Sequence, residues 1–133
     1  MAIGGITRDD LSETFFDAAA EGRLLIKRCD ECTRINGPTQ EACCSCYSPA
    51  ISWHEADGSG TIVALTLVHG RGSGPGSAPT LTASAIIELL EGPWLHARVI
   101  HDDPRAVAIG QNVHVVFEQP ASGETVPAFR VSA

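Results

Sequence analysis

The sequence predicts a mainly β protein with a short N-terminal helix, a metal-organised cysteine segment, and then a five-stranded barrel of the OB type. Three observations carry this reading. All five cysteines fall between Cys29 and Cys46, arranged around two C-x-x-C pairs. After Pro49 the chain turns to alternating apolar and β-branched residues punctuated by regular turn signals. Ahead of the cysteines lies a single stretch with helical periodicity. The expected limits are residues 1–22 for the helical segment, 23–50 for the cysteine ribbon and 51–133 for the β-domain.

The helix is expected over residues 8–21 of TRDDLSETFFDAAAEG, with Thr7 as cap, Asp10 three residues on and Gly22 at the stop. Leu11, Phe15 and Ala18 or Ala19 fall on one apolar stripe. That stripe either packs on its own domain or presents Phe15 and Phe16 to a partner.

RLLIKR, from Arg23 to Arg28, reads as a strand leading into the cysteines. Cys29-x-x-Cys32 and Cys43-x-x-Cys46 are identical spacings separated by ten residues, with Gly37-Pro38 marking a turn between them. Such a knuckle turns the backbone so that both sulfurs converge on one ion, and two knuckles complete an S4 tetrahedron. With no position left for water, the site is structural. Pairing through Cys44 would leave a one-residue gap to Cys46, which cannot form the same turn, so Cys44 is the spare. Zinc is the expected ion, and iron in an S4 site of the same ligands remains the alternative. A segment of this size has too little core to order itself, whereas zinc binding contributes on the order of 10–16 kcal/mol.

The β-domain is expected to contain GTIVALTLV, TLTASAIIELL, PWLHARVIH, VHVVFE and TVPAFRVS as successive antiparallel strands of a meander. Val63, Leu65 and Leu67 share one face of the first, and Val113, Val115 and Phe117 one face of the fourth. An open sandwich fits this pattern nearly as well as a barrel.

The totals limit what such a protein does. With 133 residues, 44% apolar and 19% charged, it is the size and composition of one globular domain with a small appendage. The net charge of -7, with nine scattered basic residues, disfavours nucleic-acid binding, which needs clustered Lys and Arg to neutralise phosphates. An independent nucleic-acid-binding module is therefore the weaker alternative. The first residues do not read as a signal peptide and no long apolar run follows. The expectation is a cytoplasmic protein off the membrane, in a reducing compartment where clustered cysteines serve as metal ligands.

No catalytic constellation emerges. His54, His69, His96, His101 and His114 lie in or beside predicted strands, none at metal or nucleophile spacing. Asp9-Asp10 and Asp102-Asp103 are neighbours that point to water at a helix start and a turn. GRGSGPG invites a phosphate-cradle reading with Arg71 as its charge, but no Gly-Lys-Ser/Thr follows and a strand comes next, which favours a plain connection.

The order of features is more specific than any one of them. FFDAAAEGRLLIKRCDEC, CCSC, GSGTIVALTLVH, AIIELLEGPWLHARV, AIGQNVHVVFE and VPAFR together resemble an acyl-CoA-associated OB-fold family with an N-terminal rubredoxin-like zinc ribbon, from about Phe15 to Arg130. The resemblance implies a non-catalytic accessory subunit that partners a thiolase-like protein in a hetero-oligomer and helps hold or channel acyl-CoA. It implies Cys29, Cys32, Cys43 and Cys46 as the metal positions, and the Phe15-Phe16 helix with the ribbon as partner surface. Two features depart from the family pattern. Cys44 stands where relatives tend to carry proline, and Thr33 and Tyr47 replace the small residues often found after each knuckle.

Overall fold

Asp9 and Ser12 decide where the helix begins in the computed structural model, which describes residues 8–70, 80–119 and 123–132. The Ser12 amide donates to Asp9 Oδ1 (2.9 Å) and the Asp9 amide to Ser12 Oγ (3.0 Å). This reciprocal turn takes up the residues expected to form the first helical turn, so α1 runs Glu13–Ala20 and not 8–21. Thr7, the expected cap, lies outside the described residues. Gly22 stops the helix as expected, with φ +79° and its amide donating to the Ala19 carbonyl (3.0 Å). Ala18 and Ala19 are buried and Phe15 is half-buried, whereas Leu11 precedes the helix and is 67% exposed, so it leaves the expected stripe. Arg8 ties this segment to the far end of the chain. Its Nε and Nη2 donate to the two Glu124 carboxylate oxygens (2.9 and 2.7 Å), and its Nη1 donates to Asp17 (2.6 Å).

Three strands form the ribbon sheet, β1 (Leu25–Cys29), β2 (Ile35–Asn36) and β3 (Ile51–Glu55), in the order β2-β1-β3 with both pairings antiparallel. The texture change near residue 50 therefore does not coincide with a change of sheet. Residues 51–55, expected to open the β-domain, pair with β1 from Leu25↔Glu55 to Cys29↔Ile51. Apolar alternation reports a strand but not its neighbour, which explains the shift.

The remaining strands, β4 (Ser59–Gly70), β5 (Thr80–Leu89), β6 (Trp94–Ile100), β7 (Asn112–Glu118) and β8 (Val126–Val131), close a barrel in the order β4-β5-β6-β8-β7. The barrel is thus chosen over the open sandwich, and the meander expectation is corrected. β8 enters between β6 and β7, antiparallel to β7 but parallel to β6 at Val99↔Phe129 and Ile100↔Arg130. Closure falls at Gly60, which pairs with Leu89 on one side and Val113 on the other. A Cβ there would lie 2.7 Å from the Glu88 carbonyl oxygen and 2.7 Å from Ile87 Cγ2, so the seam admits only glycine without a shift.

A bulge between Ile62 and Ala64 corrects the predicted inner face of β4. Val63 is the extra residue, and Ile62, 1% exposed, takes the inward position, with Leu65 and Leu67 packed against the core as expected. Val113, Val115 and Phe117 do face inward together. Leu24, Ile26 and Ala56 join Ile62, Ile87, Val99 and Phe129 in one cluster of buried side chains, so ribbon and barrel share a core.

Candidate metal centre

Each knuckle is built by the same backbone bonds. The Cys29 amide donates to the Arg34 carbonyl (2.9 Å) and the Cys43 amide to the Ser48 carbonyl (2.8 Å), closing two loops of equal length. Inside them, Thr33 N–H donates to the Cys29 carbonyl (3.1 Å) and Tyr47 N–H to that of Cys43 (2.9 Å). Amides also point at sulfur, from Cys32 to Cys29 Sγ (3.4 Å) and from Ser45 to Cys43 Sγ (3.4 Å). The first cysteine of each knuckle is buried and the second exposed.

The four predicted sulfurs converge, all within 4.8 Å of one another. Cys29 lies 3.6 Å from Cys46 and Cys32 lies 3.5 Å from Cys43, far beyond a disulfide bond. A tetrahedral S4 zinc site with bonds of about 2.3 Å has sulfur edges of about 3.8 Å, so this donor set fits a metal of that kind. Among the described residues these four are the one group of metal-ligating side chains close enough to share an ion. The ligand assignment made from spacing is the set that the fold brings together.

Electrostatics repeats the knuckle symmetry. Cys43 is held down to about 6 by amide hydrogen bonds from Cys46 and Ser45, and Cys29 is lowered chiefly by the Cys32 amide. For Cys46 the Ser48 amide pulls downward, but the Cys32 side chain, burial and the remaining sulfurs outweigh it and push the thiol up to about 12. Cys32 is raised likewise, with the Arg34 amide overcome by Cys43 and burial. In each knuckle the thiol of the first cysteine is therefore lowered and that of the second raised.

Cys44 stands outside the cluster, as its spacing implied, and the fold leaves it exposed. It rims a cleft of ≈870 Å³ between the ribbon turn at Gly37–Gln40 and the barrel turn at Glu91–Trp94. Sequence reasoning missed Asn36, which is 1% exposed in the two-residue strand β2. Its Nδ2 donates to the Arg34 carbonyl (3.1 Å) and reaches Cys43 Sγ (3.7 Å), and its Oδ1 accepts from the Cys44 amide (3.0 Å). The only sequence signal was a polar residue at a strand position facing the cysteines, which becomes meaningful once the strand is placed.

Phe15 and Phe16 meet edge to face at 5.4 Å. Phe15 also packs on the core and lies 6.4 Å from Trp53, whose ring carries Lys27 Nζ at 4.7 Å. Both phenylalanines, with Leu11, Trp53 and Leu95, line a groove of ≈370 Å³. Arg71 and nearly all of its glycine-rich loop lie outside the described residues. No histidine joins the four-cysteine group among the described residues: His96 bonds Ser84 (2.9 Å), His101 Nδ1 accepts the Asp103 amide (2.9 Å) and His114 bonds Ser132 (3.1 Å). Among the described residues no helix is long and apolar enough to cross a membrane.

A four-cysteine ribbon sharing a core with a closed five-stranded barrel defines a protein of the zinc-ribbon and OB-fold class. The chain belongs to the ChsH2 family: residues 16–52 match the ChsH2 rubredoxin-like zinc ribbon domain and residues 53–118 the ChsH2 C-terminal OB-fold domain. It is similar to a solved structure described as the Ltp2-ChsH2(DUF35) aldolase, with 27% identity and a TM-score of 0.78 over 98% of this chain and 100% of that one. A Thermomonospora curvata protein described as a probable enoyl-CoA hydratase alpha subunit is 28% identical over 116 residues. That match covers 87% of this chain but 36% of the relative, so the chain spans well under half of the relative's length. A DUF35 protein of unknown function from Sulfolobus solfataricus shares the fold, at 16% identity and a TM-score of 0.65 over 92% of this chain and 86% of that one.

Proposed function

We propose that this chain is a non-catalytic accessory subunit of a thiolase-like enzyme that processes acyl-CoA, whether thiolase, aldolase or acyltransferase. One observation carries the reading. The likeness to a chain of the Ltp2-ChsH2(DUF35) aldolase runs the full length of that chain, ribbon and barrel together. The description of the Thermomonospora curvata relative as a hydratase subunit supports the acyl-CoA context.

In this reading Zn2+ is the structural ion on Cys29, Cys32, Cys43 and Cys46, and it holds the two knuckles of the ribbon together. The groove beside Phe15 and Phe16 belongs to the partner surface, and acyl-CoA lies at the shared interface. The partner supplies the reacting groups, and this chain stabilises it and helps bind or channel substrate. The compartment is the cytoplasm, where reduced thiols remain available to the metal.

Co-expression with a thiolase-like protein of the same source tests this. A complex stable through size-exclusion chromatography is expected, together with higher thermal stability or activity of the partner. Separate elution with unaffected partner activity would overturn the proposal.

A further inference from the structure

Spacing names Cys43 as the ligand, and in the folded ribbon a second thiol stands directly beside it. Cys43 and Cys44 are adjacent, and each carries a thiol at the base of the second knuckle. One turns inward and is 1% exposed; the other is exposed on the cleft. Asn36 is the side chain that touches both residues.

We propose that Asn36 is the positioning residue that selects Cys43 over Cys44 as the metal ligand and orients its sulfur. Three bonds act together. Oδ1 accepts the Cys44 amide at 3.0 Å and fixes the peptide that joins the two cysteines. Nδ2 reaches Cys43 Sγ at 3.7 Å, directing positive dipole at that sulfur. Nδ2 also donates to the Arg34 carbonyl, which itself accepts the Cys29 amide, so the first knuckle holds the amide that orders the second. A buried amide with its acceptor and donor ends committed in this way has one orientation, because any flip leaves polar atoms unpaired.

The inference rests on reading the four-cysteine site as a metal site. The test separates the two, because failure of the wild-type chain to bind Zn2+ would defeat the metal reading itself. The full chain is loaded with Zn2+, alkylated with iodoacetamide under native conditions, and the labelled cysteine is mapped by mass spectrometry. Zn2+ affinity is measured alongside by competition with a chromophoric chelator.

Wild type is expected to label at Cys44 alone. Asn36→Leu, which keeps the branched shape but no polar atom, should spread label to Cys43 and weaken Zn2+ binding about 10-fold or more. Adding Cys44→Ser should return Cys43 to protection, because its competitor is gone. A merely structural role for Asn36 predicts no such return. If Asn36→Leu does not fold, Asn36→Asp replaces it: the acceptor for the Cys44 amide stays, but an oxygen now faces Cys43 Sγ. That variant should keep labelling at Cys44 and still bind Zn2+ more weakly. Wild-type affinity and Cys44-only labelling in folded Asn36→Leu, or wild-type affinity in Asn36→Asp, would overturn the proposal.

Discussion

Thr33 and Tyr47 occupy the same place in the two knuckles, one residue past the second cysteine, and both adopt the left-handed conformation, with φ 67° and 63°. The knuckle demands it, because each residue's amide must turn back to the carbonyl of the knuckle's first cysteine. A β-branched or aromatic residue there holds backbone strain that glycine would not.

Thr33→Gly and Tyr47→Gly should therefore each stabilise the metal-loaded chain by about 1 kcal/mol. Tyr47 is 80% exposed and loses little packing on truncation. Chemical denaturation of the Zn2+-loaded variants measures the gain, and a loss in both would show that the conformation is not strained.

Metal binding should depend on pH in two regimes. Cys46 and Cys32 are raised and must give up protons to bind, whereas Cys43, at about 6, is already a thiolate at neutral pH. Titration calorimetry in buffers of differing ionisation heat should then report fewer protons released than there are cysteine ligands at pH 7.5. Cys43 titrates at 9.0 when unperturbed and at about 6 when folded, so its thiolate is present above 6 and lost below it. As pH falls through 6, one further competing proton should steepen the loss of affinity by about ten-fold per pH unit.

Phe15 and Phe16 should separate stability from association. Phe15 packs on the shared core and beside Trp53, so Phe15→Ala should destabilise the isolated chain by about 2–3 kcal/mol, somewhat below the value for a fully buried phenylalanine. Phe16 is not among the side chains packed on that core. Phe16→Ala should lower the thermal midpoint less than Phe15→Ala does and weaken the complex with the thiolase-like partner, measured by size-exclusion or calorimetry. Unchanged binding in Phe16→Ala would remove this groove from the partner surface.

Gly60→Ala should destabilise by about 1–3 kcal/mol, because the added methyl meets the Glu88 carbonyl and Ile87 at the barrel seam. Gly92, whose added Cβ would meet nothing within 4 Å, provides a contrast dominated by its φ of +111°. Urea unfolding of both variants distinguishes crowding from backbone strain.

The sequence by itself determined what depends on neighbours along the chain. The ligand set followed from two C-x-x-C spacings, because a knuckle is a local turn whose sulfurs must converge wherever it folds. The barrel strands followed from alternation, and the helix stop from Gly22, for the same local reason. What the tertiary structure decided depends on residues far apart in the chain. The bulge at Val63 put Ile62 inside against its partner strand, and even the short-range Asp9–Ser12 turn displaced the helix start through side-chain bonds that periodicity averages away. β3 joined the ribbon, and β8 slipped between β6 and β7, because a strand's own pattern records which face is buried but not which edge is paired. Asn36 belongs to this second group: its amide acquires a role only when folding brings both knuckles against it.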